Sequence, residues 1–150
     1  MKTVIQRVSR ASVRVDGEVV GEIGRGILVL VGVERGDGVA DAHMTARKIA
    51  GMRIFPGAKP MDRSVAEIGG AVLVISQFTL AGNVRKGRRP SFDRAEDPER
   101  AERLYMTVVE ELRSLGLPTQ TGRFAAHMEV ELVNDGPVTI MIFTEGGVIL

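Results

Sequence analysis

The 150-residue sequence predicts an α+β protein in which two helices cover a mixed or barrel-like β-sheet. Strand-type patterns dominate both ends of the chain, and only two stretches between them place apolar residues at helical spacing. Strands and helices do not alternate strictly, so a regular parallel α/β fold is not expected. We expect a single domain over residues 1–150, because a chain of this length can bury a core of its own.

The first third of the chain predicts the centre of the sheet. Residues 4–8 and 11–15 alternate apolar with polar side chains, Asp16-Gly17 is typical of a tight turn, and residues 18–23 can return as a hairpin partner. Residues 26–33 form a continuous apolar run. Such a run favours a central strand that is buried on both faces.

Two amphipathic segments predict the helices. The first spans residues 39–52, where the apolar residues fall on one helical face. The second begins at Asp97 and Pro98, which are typical of an N-cap and a first helical residue, and it ends before Gly116. Between them, residues 71–75 predict a buried strand that continues into a polar and aromatic pentad at 76–80.

The last third of the chain predicts two more strands. Residues 128–133 alternate strictly, and residues 138–143 are mostly apolar and β-branched. The segment Asn134 to Pro137 separates them. Since a proline between strands is usually a breaker, we expect two separate strands here.

The composition excludes several classes of site. The chain has no cysteine and two histidines, so disulfide scaffolds, thiolate metal sites and thiol nucleophiles are excluded. Neither histidine lies near a nucleophile-elbow motif, so a Ser-His-acid triad is not expected. We expect no metal and no cofactor. The start of the chain has no targeting signal and no apolar run is long enough to span a bilayer, which predicts a cytoplasmic protein.

Positive charge is concentrated in one segment. The net charge of the chain is +1, yet residues 85–94 alone carry five basic residues and one acidic residue. Glycines spaced as in a P-loop lie here, but the Lys-Ser/Thr pair that must follow is absent. A basic loop of this kind can bind phosphates, and an ordinary solvated loop is an equally good interpretation of the charge alone.

Three motifs together resemble one known family. They are the pentad Ser-Gln-Phe-Thr-Leu at 76–80, the basic segment at 86–92 and the hexad Asn-Asp-Gly-Pro-Val-Thr at 134–139. Their order and separation are similar to those of the D-aminoacyl-tRNA deacylases, and residues 4–8 and 48–55 also resemble that family. The resemblance covers essentially the whole chain.

The resemblance implies an esterase that removes D-amino acids from the 3′ end of mischarged tRNA and acts as a homodimer without a metal. It also implies activity on glycyl-tRNA mischarged on tRNA-Ala, because glycine lacks a side chain to reject. The alternative from another class is a non-catalytic module that binds tRNA or single-stranded nucleic acid. The five phenylalanines, one tyrosine and absence of tryptophan argue against a stacking platform of that kind.

The resemblance also assigns roles to residues. Gly136 and Pro137 would form a cis pair that enters the partner subunit's pocket and admits only the D-configured amino group. The ribose 2′-hydroxyl of the substrate would assist proton transfer, and Thr79 is the alternative, as a nucleophile or as a positioning group. The other implied roles are catalytic for Gln77, Phe78 and Thr79, supporting for Arg7, Ser76 and Met128, and tRNA-binding for Arg85, Lys86, Arg88 and Arg89.

Three residues depart from the family pattern, and two of them lie close together. Ala125 and His127 stand where the family usually has glycine and aspartate, and Asp62 stands where asparagine often follows methionine. An alanine in place of glycine matters only if the backbone there needs a positive φ or a close approach. We expect His127 to be a surface substitution and the pocket near Met128 to differ most from the family pattern.

Overall fold

The computed structural model describes residues 1–150 and contains one mixed sheet of seven strands with two α-helices. Neither helix is long and apolar enough to cross a membrane. In chain order the elements are β1 (Lys2–Val15), β2 (Glu18–Ile23), β3 (Gly26–Gly32), α1 (Val39–Gly51), β4 (Ala71–Ser76), a 3₁₀ turn (Phe78–Ala81), α2 (Pro98–Ser114), β5 (Thr119–Thr121), β6 (Glu129–Glu145) and β7 (Val148–Ile149).

The long strand β1 organises the sheet. The strand order is β5-β4-β3-β1-β6-β7, with β2 paired separately to β1. β3, β4 and β5 are parallel, and the other pairs are antiparallel. The first half of β1 pairs with β3 and its second half pairs with β2, so the sheet curls into a half-barrel. The predicted α+β class with a mixed sheet and two helices is confirmed.

Hydrophobic cores form on both faces of the curled sheet. α1 and α2 pack on one face over residues such as Ile27, Val29 and Val72. A smaller core on the other face contains Leu28 and Leu73, the sequence neighbours of those residues. Successive residues of a strand point to opposite faces, so the continuous apolar run of β3 is explained by burial on both sides.

Two pairs of predicted strands are single strands in the structure. Segments 4–8 and 11–15 both belong to β1, and segments 128–133 and 138–143 both belong to β6. The prediction of a break at Asn134 to Pro137 was wrong because these residues form a bulge within β6. Between the pairs Gln6–Thr139 and Val8–Asn134, the one residue of β1 faces four residues of β6.

Helix α2 is tied to the strand that leads to the polar pentad. The Tyr105 hydroxyl is buried and donates a hydrogen bond of 2.8 Å to the Val74 carbonyl. Burial raises the pKa of Tyr105 to about 12, so its proton remains available for this bond. The Tyr105 ring also packs on Phe124, with ring centres 6.1 Å apart. One residue therefore connects α2, β4 and the turn before β6.

Candidate active site

A cavity of about 610 Å³ opens where β4 ends. Its wall combines the end of β4, the start of α2 and the turn at residues 124–128, which are distant in sequence. The lining is mainly apolar with a few polar groups, as is usual for small-molecule sites of this volume. This cavity is therefore the best-formed candidate for an active site.

Aromatic rings form the mouth of the cavity. Phe78 and Phe92 meet edge to face with ring centres 5.2 Å apart, and Phe124 lines the cavity as well. Phe78 is 56% exposed, although a large apolar side chain is normally covered. An exposed ring at the mouth of a cavity is well suited to pack against the planar base or aliphatic part of a ligand.

The polar pentad turns away from the sheet directly after β4. The Gln77 N–H donates a 2.7 Å hydrogen bond to the Val31 carbonyl, and the chain then enters the 3₁₀ turn. Glycine is needed opposite, since a Cβ at Gly32 would lie 2.8 Å from the Leu80 Cβ. The first N–H groups of a helical turn have no intrahelical acceptor, so those of Phe78 and Thr79 are available to a ligand.

The Thr79 hydroxyl is bonded to an amide and to no base. Gln77 Nε2 donates a 2.6 Å hydrogen bond to Thr79 Oγ1, and the hydroxyl makes no hydrogen bond with a carboxylate or imidazole. A threonine that attacks as a nucleophile needs a neighbouring group that takes its proton. Thr79 is therefore placed to orient the Gln77 side chain, and no base is placed to activate the Thr79 hydroxyl.

The structure brings together some of the predicted site residues and separates others. Ser76, Gln77, Phe78 and Met128 line the cavity. Thr79 is exposed and lies beside Gln77 without lining the cavity. Gly136 and Pro137 belong to the bulge of β6, and Arg7 lies opposite them on β1. None of the three lines the cavity of its own chain.

Arg7 holds this bulge from below. Its side chain is buried, and it donates hydrogen bonds of 3.0 Å to the Asp135 carbonyl and 2.7 Å to the Ile54 carbonyl. The Gly136-Pro137 bond is cis, and both residues are exposed. Asn134 closes the base of the bulge by accepting a 3.1 Å hydrogen bond from the Val138 N–H. The bulge is thus a fixed, outward-facing feature.

The basic segment forms a closed loop at the cavity mouth. Asn83 and Ser91 exchange two backbone hydrogen bonds of 2.8 and 2.9 Å, and the next residue, Phe92, lines the cavity. The loop carries four exposed cations that form no ion pair, namely Arg85, Lys86, Arg88 and Arg89. The fifth basic residue of the segment, Arg94, pairs with Glu34 at 2.9 Å instead.

Glu34 anchors the chain that follows the loop. Glu34 as a residue is 5% exposed, and its carboxylate lies 3.1 Å from Lys2 and 2.9 Å from Arg94. Its burial would raise the pKa of Glu34, but the hydrogen bonds and charges of Lys2 and Arg94 outweigh burial and lower the pKa below its usual 4.5. Glu34 therefore remains charged near neutral pH and fixes the segment that leads to α2.

Several cavity residues were missed by the sequence analysis. Arg35 and the segment 95–98 line the cavity because that segment packs beside the end of β3, which is a contact without a local sequence signal. Phe92 also lines the cavity, and its position inside the basic motif was the one available signal.

Ala125 adopts a backbone conformation that favours glycine. Its φ is +63°, in the left-handed region, so an alanine in place of the family's usual glycine is strained at a position that lines the cavity. His127 is exposed and lines the cavity two residues later. The expected departure of the pocket from the family pattern near Met128 stays a prediction, and the strained Ala125 lies in the turn that leads to it.

Comparisons with known sequences agree along nearly the whole chain. The family model described as D-Tyr-tRNA(Tyr) deacylase matches residues 4–143. A D-aminoacyl-tRNA deacylase of Symbiobacterium thermophilum is 61% identical over 146 residues, which are 97% of each chain. One of Geobacter sulfurreducens is 58% identical over 97% of this chain and 96% of its own.

Solved structures have the same fold. A protein described as c-Myc DNA unwinding element binding protein is 41% identical, with a TM-score of 0.90 over 97% of this chain and 100% of its own. A probable eukaryotic D-amino acid tRNA deacylase is 18% identical, with a TM-score of 0.78 over 93% of this chain and 97% of its own, and it supports the fold alone.

The strained turn predicts a stabilising substitution. We expect Ala125→Gly to raise the free energy of unfolding by about 0.5–1 kcal/mol, because relief of the left-handed alanine exceeds the entropy that glycine adds to the unfolded chain. Ala126→Gly is the matched control, since Ala126 has no positive φ, and it should stabilise nothing. Thermal unfolding of both variants provides the measurement. A lower melting temperature for Ala125→Gly than for the unchanged protein would contradict the assignment of strain.

Proposed function

Because the chain belongs to the D-Tyr-tRNA(Tyr) deacylase family, we propose that the cavity at the end of β4 is where it hydrolyses its substrate. The chain is a D-aminoacyl-tRNA deacylase, a hydrolase that proofreads mischarged tRNA. The observation that carries the site assignment is that Gln77 and Phe78 line a cavity of about 610 Å³, a volume suited to a nucleoside. Membership of this enzyme family favours the hydrolase over the non-catalytic binding module.

The proposed chemistry relies on the backbone and on the substrate. A water attacks the ester carbonyl, and the backbone N–H of Phe78 donates to the oxyanion that develops on the carbonyl oxygen. The bond between the carbonyl carbon and the ribose 3′-oxygen then breaks, which releases the amino acid and leaves a 3′-hydroxyl on the tRNA. The ribose 2′-hydroxyl of the terminal adenosine assists the proton transfer. Gln77 lines the cavity next to these groups and is oriented by Thr79. This scheme needs no cysteine or histidine base, which fits the composition.

Substitution of Thr79 distinguishes a positioning residue from a nucleophile. Since its hydroxyl contacts only the Gln77 amide, we expect Thr79→Ala to keep kcat within about tenfold of the unchanged enzyme. Loss of a covalent nucleophile would lower kcat by several orders of magnitude. Single-turnover hydrolysis of D-tyrosyl-tRNA measures the difference. An aminoacyl-enzyme trapped on Thr79 would refute the substrate-assisted scheme.

We propose that two copies of the chain complete each site. The Gly136-Pro137 bulge is exposed, is held by Arg7 and does not line the cavity of its own chain. Its carbonyl groups can therefore enter the cavity of a partner. The same strand exposes apolar side chains that a second copy would cover, with Val133 40%, Met141 63% and Phe143 37% exposed.

In this assembly the bulge acts as a chiral filter. Its carbonyls accept the ammonium group of a D-aminoacyl ester, while an L-aminoacyl ester is rejected by a clash with a fixed obstacle. A glycyl ester has no side chain that could clash, so glycyl-tRNA mischarged on tRNA-Ala is a further proposed substrate. We also propose that the protein works in the cytoplasm, where aminoacyl-tRNA is consumed.

Loss of the Arg7 anchor should damage the filter. Arg7→Leu leaves the Asp135 and Ile54 carbonyls without their donor, so we expect the bulge to loosen. The rate of D-tyrosyl-tRNA hydrolysis should fall about tenfold or more. The ratio of the hydrolysis rates for D-tyrosyl-tRNA and L-tyrosyl-tRNA should become smaller, and the affinity for tRNA should not change. The matched control is Arg10→Leu, because Arg10 lies on the same strand in an exposed ion pair with Glu131. Equal D/L ratios for the two variants would exclude this role of Arg7.

The basic loop is proposed to hold the tRNA. Its free cations Arg85, Lys86, Arg88 and Arg89 stand on a loop whose base, Phe92, lines the cavity, so phosphates outside the terminal nucleotide can reach them. The loop thereby supplies affinity for the nucleic acid without reading its sequence.

Salt dependence tests the loop. We expect the double variant Arg88→Ala/Arg89→Ala to bind tRNA more weakly and to reduce the slope of log K against log salt by about two, because two phosphate contacts no longer release counterions. As a control, Arg47→Ala/Arg103→Ala removes two exposed arginines of the helices. An unchanged slope in the loop variant would mean that the loop is only solvated.

A further inference from the structure

Arg35 is the only lysine or arginine that lines the cavity. Its side chain is 62% exposed, and it also lines a neighbouring cavity of about 300 Å³ beside Lys2 and Phe143. The guanidinium group therefore stands at the rim, between the two openings. Neither the sequence motifs nor the proposed chemistry assigns it a role.

The backbone of Arg35 is fixed although its side chain is exposed. Its N–H donates a 2.8 Å hydrogen bond to the Arg94 carbonyl, and the neighbouring Val33 carbonyl accepts a 3.1 Å bond from the Glu96 N–H. Glu34 adds the ion pair with Arg94 between them. These bonds hold the loop after β3 and the segment before α2 together. The backbone that carries the Arg35 side chain is therefore fixed.

The Arg35 guanidinium forms no strong ion pair. Its one ion pair is with Asp97 at 3.7 Å, and the Asp97 side chain is 74% exposed. Long, exposed pairs of this kind contribute little free energy. The other carboxylate of the rim, Glu96, is already bound by Arg100 and is 9% exposed. Arg35 is therefore free to exchange Asp97 for a stronger anionic ligand.

We propose that Arg35 binds the phosphate that joins the terminal adenosine of the substrate to the preceding nucleotide. This proposal rests on the proposed function, in which the ester lies at Gln77 and the adenosine fills the cavity. The 5′-phosphate links that adenosine to the rest of the tRNA, so it must lie at the rim of the cavity. A guanidinium group can bind a phosphate with two parallel hydrogen bonds. The loop cations do not line the cavity and so hold phosphates farther along the tRNA.

Truncated substrates isolate this contact. The 3′-D-tyrosyl esters of adenosine and of adenosine 5′-monophosphate differ only in the phosphate, and D-tyrosyl-tRNA adds the rest of the polyanion. We expect Arg35→Ala to raise KM about fivefold for the monophosphate ester and for tRNA, with kcat unchanged, and to leave the adenosine ester unaffected. Arg88→Ala/Arg89→Ala should weaken only the tRNA substrate.

Two further variants make the comparison sharper. Arg47 is the matched control, because it is also 62% exposed and paired with a carboxylate, but it lies on α1 and does not line the cavity. Arg47→Ala should change no KM. Asp97→Asn keeps a good N-cap residue for α2 and removes the competing charge, so it should lower KM for the monophosphate ester.

The outcomes distinguish this proposal from the one on which it rests. An equal rise of KM for both truncated esters with Arg35→Ala would mean that Arg35 only shapes the cavity wall, and no rise for any substrate would place the phosphate elsewhere. Either result overturns the proposal and leaves the site assignment intact. Hydrolysis of all three substrates at an unchanged rate by Gln77→Ala would overturn both.

Discussion

The pairing of β1 along its whole length is the constraint on which the rest of the molecule depends. β1 pairs with β6 on one side and with β3 and then β2 on the other, which curls the sheet. β3 in turn carries β4, so the cavity forms where β4 ends. Arg7 of β1 anchors the bulge of β6, and Gly136 and Pro137 of that bulge do not line the cavity. Because the cavity and the bulge do not meet within one chain, we propose a site that a second copy of the chain completes.

The proposed mechanism relies on correctly positioned backbone groups more than on ionisable side chains. The hydrogen bond from the Gln77 N–H to the Val31 carbonyl ends β4 at a defined residue, and a 3₁₀ turn follows directly. In the proposed mechanism, the free backbone N–H of Phe78 at the start of this turn binds the oxyanion. Such preorganised donors stabilise a developing oxyanion without reorganisation. In the proposed mechanism, charge acts at the periphery instead, where the basic loop and Arg35 would bind phosphates of the substrate. This division explains how a chain without cysteine and with two histidines can serve as an esterase.

Much of the fold could be predicted because its signals are local. The hairpin of β1 and β2, the buried run of β3 and the caps of α2 each follow from neighbouring residues. The continuity of β6 could not, since Pro137 normally ends a strand and only pairing with β1 reveals a bulge. Gln77 and Phe78 were identified by a motif, whereas Arg35 enters the site through the packing of segment 94–96 beside β3, which no local pattern encodes.

Mixing two defective variants tests the shared site most directly. One chain carries Arg7→Leu and keeps its cavity, and the other carries Gln77→Ala with Phe78→Ala and keeps its bulge. In a mixed dimer, the intact cavity of the first faces the intact bulge of the second. The account predicts that D-tyrosyl-tRNA hydrolysis by the co-expressed pair exceeds that of either variant alone. Activity no higher than the average of the two separate preparations would contradict a site completed across subunits.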